Sequence, residues 1–152
     1  MVFALNETAK HTLQENWHLA EKRYFAISDG APPAGSGILR HDLDESNAFR
    51  VRISPRSETT REAITHYRVI RRSALRTLFE LTLESGRRHQ IRVQLSAIQC
   101  PIVGDPKYHP SGAGGKRMAL HSCHLSFPHP FSGERLCFDS ALPEAIARST
   151  GF

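Results

Sequence analysis

Glu84-Ser85-Gly86-Arg87-Arg88-His89-Gln90-Ile91-Arg92-Val93-Gln94-Leu95 is the stretch that decides how this chain is read. The residues leading into it, 77–84, alternate, with Phe79, Leu81 and Leu83 on one side. That is the period of a half-buried strand. Gly86 lets the chain turn sharply off the strand. Beyond it, Ile91, Leu95 and Ile98 recur at helical spacing, which predicts a helix over about residues 89–98. Arg87, Arg88 and Arg92 gather at its start, where backbone N–H groups already favour anions. Guanidinium groups placed there can hold phosphates or a carboxylate through paired hydrogen bonds. Arg92 follows Arg88 by one helical turn, so the two are expected on one face. The same pattern also fits a solvated basic helix start.

Working outward, residues 64–71 alternate as well, with Thr65, Tyr67 and Val69 on one side and Ile64, His66, Arg68 and Ile70 on the other. The short connection at 72–76 makes 64–71 and 77–84 an antiparallel hairpin. Near the start, Asn6 can cap a helix over 7–17 whose stripe is Leu5, Ala9, Leu13, Trp17 and Ala20. Residues 21–28, carrying Tyr24, Phe25 and Ile27, read as a strand ended by Asp29-Gly30 and Pro32-Pro33. Residues 31–60 are rich in Gly, Pro, Ser and charge, and read as a long surface connection with one short strand at 49–53. Residues 101–115 read as loop. Strands near 118–127 and 134–138 flank the turn Pro128-His129-Pro130-Phe131-Ser132-Gly133. The expected fold is α+β: a mixed, largely antiparallel sheet with a few flanking helices, forming one domain over residues 1–152.

Composition narrows the class. A chain of 152 residues, 39% hydrophobic and 23% charged, fits one domain with its own core. No apolar run approaches the roughly 20 residues needed to span a bilayer, and Met1-Val2-Phe3-Ala4-Leu5 has no basic lead-in of a signal peptide. The odd, widely spaced cysteines Cys100, Cys123 and Cys137 argue against a disulfide framework and for a reducing compartment, so a cytoplasmic location is expected. A net charge of +5 and a pI near 9.5 suit a polyanionic partner.

Other chemistries are poorly served. His121, Cys123 and His124 match no zinc spacing, and no metal site is expected. Gly112-Ala113-Gly114-Gly115-Lys116-Arg117 lacks the spacing of a phosphate loop and reads as a flexible basic loop. No serine or cysteine stands in a recognisable nucleophile setting.

The segment from Glu84 to Leu95 resembles a motif of the RluA-type pseudouridine synthases, in which a strand ends in Gly-Arg and a helix opens with His-Gln-Ile/Leu-Arg. The resemblance continues through Pro101-Ile102-Val103-Gly104-Asp105-Pro106-Lys107-Tyr108, through Leu120-His121 and through Leu125-Ser126-Phe127-Pro128-His129-Pro130. Upstream, Glu21-Lys22-Arg23-Tyr24 resembles the tyrosine motif of the family, and the 6–17 segment resembles the helix before it. This resemblance implies isomerisation of uridine to pseudouridine within ribosomal or transfer RNA, without a cofactor. It implies that Tyr24 packs on the target uracil and that Arg92 pairs with a catalytic aspartate. Arg87, Arg88, His89, Gln90 and Lys107 are then expected at the RNA surface. An aromatic platform beside arginines is what a base taken out of its stack needs.

In that family the aspartate sits in a His-Arg-Leu-Asp motif followed by a Thr-Ser-Gly turn and an apolar strand. Met1-Val2-Phe3-Ala4-Leu5 corresponds to the end of that strand, so the motif is expected just before residue 1 and the domain is expected to be N-terminally truncated. His41-Asp42-Leu43-Asp44 looks similar but lacks the Thr-Ser-Gly turn, and reads as loop acids. Without the aspartate, Arg92 is expected to be left alone and the chain to be inactive by itself. The alternative is a non-catalytic RNA-binding remnant of the same fold. Loss of the preceding strands is expected to expose an N-terminal sheet edge, favouring self-association.

Overall fold

The computed structural model describes residues 2–112 and 117–151. Its centre is a seven-stranded sheet made of β1 (Glu21–Asp29), β2 (Ser36–Asp44), β3 (Arg52–Ile53), β4 (Thr60–Arg72), β5 (Arg76–Leu83), β6 (Leu120–Pro128) and β7 (Arg135–Asp139). The spatial order is β3-β2-β4-β5-β1-β6-β7, and every pairing between these strands is antiparallel. Helices α1 (Glu7–Glu15), α2 (Gln90–Ala97) and α3 (Glu144–Thr150) flank it. The α+β architecture expected from the sequence is thus present. The basic loop expected at 112–117 falls largely on residues outside those described.

The β4–β5 hairpin forms the middle of the sheet. Thr77, Phe79 and Leu81 alternate inward as their period requires, and all three are fully buried. Tyr67 packs edge-on against Phe79, with ring centroids 5.8 Å apart. Between β5 and β6 lies β1, where Tyr24 is paired with Leu81 on one side and Ser122 on the other. A register shift between Arg23 and Tyr24 interrupts the β1–β6 ladder at this point, a device that re-aims side chains.

Helix α2 is seated by two buried glutamines. The Gln94 amide donates to the carbonyls of Leu39 (3.1 Å) and Ala63 (3.0 Å) and accepts from the Thr65 hydroxyl (2.7 Å). One turn earlier, the Gln90 amide donates to Ile64 O (3.0 Å) and Thr65 Oγ1 (2.8 Å). Both side chains are satisfied at each end, as burial of a polar group requires. Ile91 and Leu95 then fill the space over Ala26, Leu39, Phe79 and Leu81.

The structure corrects several expectations. Residues 31–60 are not all surface connection, because β2 runs through them and pairs with β4 along its whole length. A Cβ at Gly37 would stand 2.9 Å from the Tyr67 ring. The glycine admits the tyrosine, and Leu39 and Leu43 still point inward. His41–Asp44 accordingly lies within a strand and not in a loop. Residues 101–115 are not all peripheral either: Ile102 and Val103 are buried, and Val103 N donates to Ile27 O (3.0 Å) while Ala119 N donates to Val103 O (2.9 Å). Helix α3 was not expected. Its Ile146 enters the core, but its seven residues are too few for a clear period.

The N-terminal segment also differs. Residues 2–5 form no strand, with Phe3 and Leu5 exposed, and Met1 lies outside the described residues. The expected N-terminal sheet edge is not there, since the first strand, β1, is covered by β5 and β6 and the sheet edges are β3 and β7. A strand needs a neighbour to satisfy its backbone, and none of the described strands pairs with residues 2–5.

Candidate active site

The strand-to-helix turn is held by a short relay. Ile64 N donates to Ser85 Oγ (2.8 Å), Ser85 Oγ donates to Gln90 Oε1 (2.9 Å), and Arg87 N donates to the same Oε1 (2.9 Å). His89 caps the helix with a left-handed backbone, φ 54°, and makes no side-chain cap. A non-glycine residue in that region is uncommon, histidine being among those that tolerate it. The twist turns the His89 ring back toward Tyr108, whose hydroxyl lies 3.0 Å from Nδ1.

Around this turn lies an open pocket of about 200 Å³, lined by Tyr24, Leu83, Arg87, His89, Gln90, Ile91, Arg92 and Leu120. Larger hollows of about 370 and 590 Å³ border Val2. The smaller pocket is the stronger candidate, because an aromatic hydroxyl, an imidazole and two guanidinium groups converge on apolar walls there. Its lining includes no carboxylate among the described residues.

Arg92 is not left alone, contrary to expectation. Its Nε donates to Asp105 Oδ2 at 2.8 Å and its Nη2 to Oδ1 at 2.6 Å. Asp105 has no exposed surface and also accepts from the amides of Lys107 (2.8 Å) and Tyr108 (3.1 Å). Burial pushes the Asp105 carboxyl up, but the Arg92 hydrogen bonds, the two amides and the arginine charge outweigh it and hold the group below the usual carboxylate range. Hydrogen bonding to Asp105 raises Arg92 in turn, against the opposing effect of burial. The Tyr108 ring supports the pair, with its centroid 5.1 Å from the Arg92 guanidinium.

The Tyr108 hydroxyl accepts from Val51 N (2.9 Å) and donates to Val51 O (3.0 Å). Its single proton is therefore committed, so His89 Nδ1 must donate to it. That fixes the tautomer and leaves His89 Nε2 as a bare acceptor. Burial, followed by the charges of Arg92, Lys107 and Arg88, lowers the His89 pKa and so favours the neutral ring.

Of the residues expected from the sequence, Tyr24, Arg87, His89, Gln90 and Arg92 meet at this pocket. Gln90 is buried and holds the turn. Arg87 is exposed and donates through Nε to Glu62 O (3.1 Å). Arg88 and Lys107 do not line the pocket. Arg88 precedes α2 and does not share a face with Arg92. Its guanidinium donates to the carbonyls of Glu45 (2.9 Å), Asn47 (2.5 Å) and Ala48 (2.8 Å), and Lys107 Nζ donates to Phe49 O (2.5 Å). Both brace the β2–β3 connection. His41–Asp44 is absent from the pocket lining. His124 pairs with Asp139 (2.7 Å) and His121 with Ser140 (3.1 Å). No group of three or more potential metal ligands converges among the described residues. Sequence reasoning missed the roles of Asp105 and Tyr108, although both stand in the Pro101–Tyr108 block that it singled out.

The model of the RNA pseudouridylate synthase family matches residues 1–97. The chain belongs to that family. Ribosomal large subunit pseudouridine synthase D of Xanthomonas campestris pv. campestris is 38% identical over 141 residues, covering 84% of this chain and 42% of that protein. An uncharacterized RNA pseudouridine synthase of Bacillus subtilis is 44% identical over 127 residues, covering 83% of this chain and 42% of its own. The chain thus spans less than half the length of these relatives. The fold is similar to that of human RNA pseudouridylate synthase domain containing 4, with a TM-score of 0.80 at 24% identity, covering 99% of this chain and 70% of that one.

Proposed function

We propose that this chain serves uridine-to-pseudouridine isomerisation in RNA, contributing the base-binding half of the active site within one domain over residues 1–152. The observation that carries this is the convergence of Tyr24, His89 and Arg92 on one open pocket with Arg87 at its rim. Tyr24 offers a stacking face to a uracil taken out of its helix. Arg92 offers a guanidinium fixed by Asp105 to pair with the catalytic carboxylate, and Arg87 meets the RNA backbone. The reaction breaks the bond from uracil N1 to ribose C1′ and re-forms it at C5, which needs a carboxylate near the sugar. The pocket lining supplies none, so RNA binding without turnover is expected of this chain alone. Ribosomal RNA is the favoured substrate over transfer RNA, because the relatives named for a substrate are named for the large ribosomal subunit. A cytoplasmic location fits the three free cysteines, and among the described residues no helix is long and apolar enough to cross a membrane.

The test uses ribosomal RNA fragments carrying 4-thiouridine, irradiated in the presence of the chain. Cross-links are expected on the peptides that hold Tyr24 and Arg87–Arg92, and chemical labelling is expected to find no pseudouridine. RNA bound without a cross-link near Tyr24 defeats the assignment of the pocket. Robust turnover defeats the claim that the carboxylate is lacking.

A further inference from the structure

The connection between β2 and β3 holds an exposed aromatic side chain on a firmly braced backbone. Phe49 is 79% exposed. A single exposed phenylalanine is ordinary on a protein surface, but the chain around this one is fixed from several sides. Asn47 Oδ1 accepts from Phe49 N (2.8 Å) and Arg50 N (3.2 Å), which closes a tight turn. The Arg88 guanidinium spans the carbonyls of Glu45, Asn47 and Ala48, and Lys107 Nζ donates to Phe49 O. Just beyond, the Tyr108 hydroxyl binds both Val51 N and Val51 O. Two cations and a buried tyrosine are thus committed to holding an apolar ring out in water.

The surroundings of Phe49 narrow the chemistry of what covers it. Arg50, Arg52 and Arg56 are exposed along the same connection. The Arg50 guanidinium lies 5.5 Å from the centroid of the Tyr108 ring, and that of Arg92 lies 5.1 Å from the same centroid. Arg92 lines the pocket, so the connection adjoins the pocket through one shared ring. An aromatic face among cations next to a nucleotide pocket matches a nucleic-acid base and its phosphate. An apolar peptide would match the ring but not the charge.

We infer that Phe49 is a second stacking platform, taking an unpaired base that flanks the uridine held at the pocket, with Arg50 meeting the phosphate of that flanking nucleotide. This inference rests on the RNA-binding reading of the pocket and extends it from one nucleotide to a single-stranded segment. Stacking accepts any base, so the platform adds affinity and places the strand without reading its sequence. The bracing by Arg88 and Lys107 lessens the ordering that binding would otherwise demand of the loop.

The test measures, by fluorescence anisotropy, binding of a single-stranded oligoribonucleotide with a central uridine, and of a series in which each flanking nucleotide in turn is made abasic. Loss of one stacked base lowers affinity by about 5- to 100-fold. Phe49→Ala is expected to bind more weakly by that factor, with the wild-type salt slope and melting temperature, because the side chain is exposed. Phe49→Tyr is expected to keep the wild-type affinity. At one flanking position the abasic change is expected to weaken the wild type and leave Phe49→Ala unaffected, a pattern that a merely structural Phe49 does not produce. Arg50→Ala is expected to reduce the log–log salt slope by about 0.7, and an unchanged slope overturns the phosphate part of the inference. Wild-type affinity in Phe49→Ala overturns the platform, whether the ring then meets solvent or a protein. An abasic series to which both proteins respond alike overturns it as well. Either result leaves the pocket reading intact if the cross-link to the Tyr24 peptide persists. Failure of the wild-type chain to bind the oligonucleotide at all defeats both readings together.

Discussion

Thr65 and Gln94, neither with any exposed surface, share a hydrogen bond of 2.7 Å at the seam between α2 and the sheet. The same Thr65 oxygen accepts from Gln90 at 2.8 Å. A threonine in the central strand β4 therefore fixes both the height and the rotation of the helix that carries Arg92.

Replacing Gln94 by leucine tests that seam. The volume is similar, but the change strands the Thr65 hydroxyl and the carbonyls of Leu39 and Ala63 away from water. Each stranded group costs about 1–3 kcal/mol, so the variant is expected to lose about 3–5 kcal/mol in total. For a chain of this size that lowers the melting temperature by about 10 °C. A leucine variant melting within a degree or two of the wild type would show that the amide network is dispensable.

Arg87 and Arg88 are neighbours with different duties, and alanine variants should separate them. Arg87→Ala is expected to reduce the salt slope of RNA binding by about 0.7–0.9 with little change in melting temperature. Arg88→Ala removes the donor to three loop carbonyls and is expected to loosen the β2–β3 connection, seen as faster amide hydrogen exchange over residues 45–51. Equal salt effects from the two substitutions would contradict this split.

His89 gives the stability a pH dependence near neutrality. Its folded pKa is lowered, first by burial and then by Arg92, Lys107 and Arg88. As pH falls through the ordinary histidine value of about 6.5, the unfolded chain takes up a proton first, so stability is lost between that value and the lower folded one. His89→Asn removes the titration and keeps a residue suited to the left-handed backbone. Urea denaturation on either side of pH 6.5 is expected to show a smaller decline in the variant. Identical declines in both proteins would assign the effect elsewhere.

Self-association, if it occurs, should follow exposed apolar side chains and not a free N-terminal edge. Phe3, Leu5, Phe131 and Phe138 are all more than half exposed. Sedimentation velocity over a concentration series is expected to show reversible association, reduced by Leu5→Glu and Phe131→Glu. Concentration-independent monomers would remove this surface from consideration.

Much of this fold was legible because its signals are local. The β4–β5 hairpin announced itself through strict alternation, and the turn at Gly86 through a glycine between two periods. Helix α1 was marked by Asn6, whose side chain does accept from Ala9 N at 2.8 Å. The strand β2 was hidden by the Gly, Pro, Ser and charge of residues 31–60, and only the arrival of Tyr67 from β4 explains Gly37. The pocket was legible through one contiguous motif plus Tyr24. Asp105 was not, because its partnership with Arg92 spans the end of a helix and a loop, and residue spacing carries no information about such a closure. The same limit hid the loop contacts of Arg88 and Lys107, whose donors reach carbonyls 40 and 58 residues away in sequence.

The ring and hydroxyl of Tyr108 are shared among three parts of the chain: Val51 in the β2–β3 connection, His89 at the start of α2, and Arg92 one turn along. With one proton and one ring to distribute, none of these contacts can be altered without changing what the others receive. Tyr108 thus ties the buried Val51 of the β2–β3 connection to both His89 and Arg92 at the pocket.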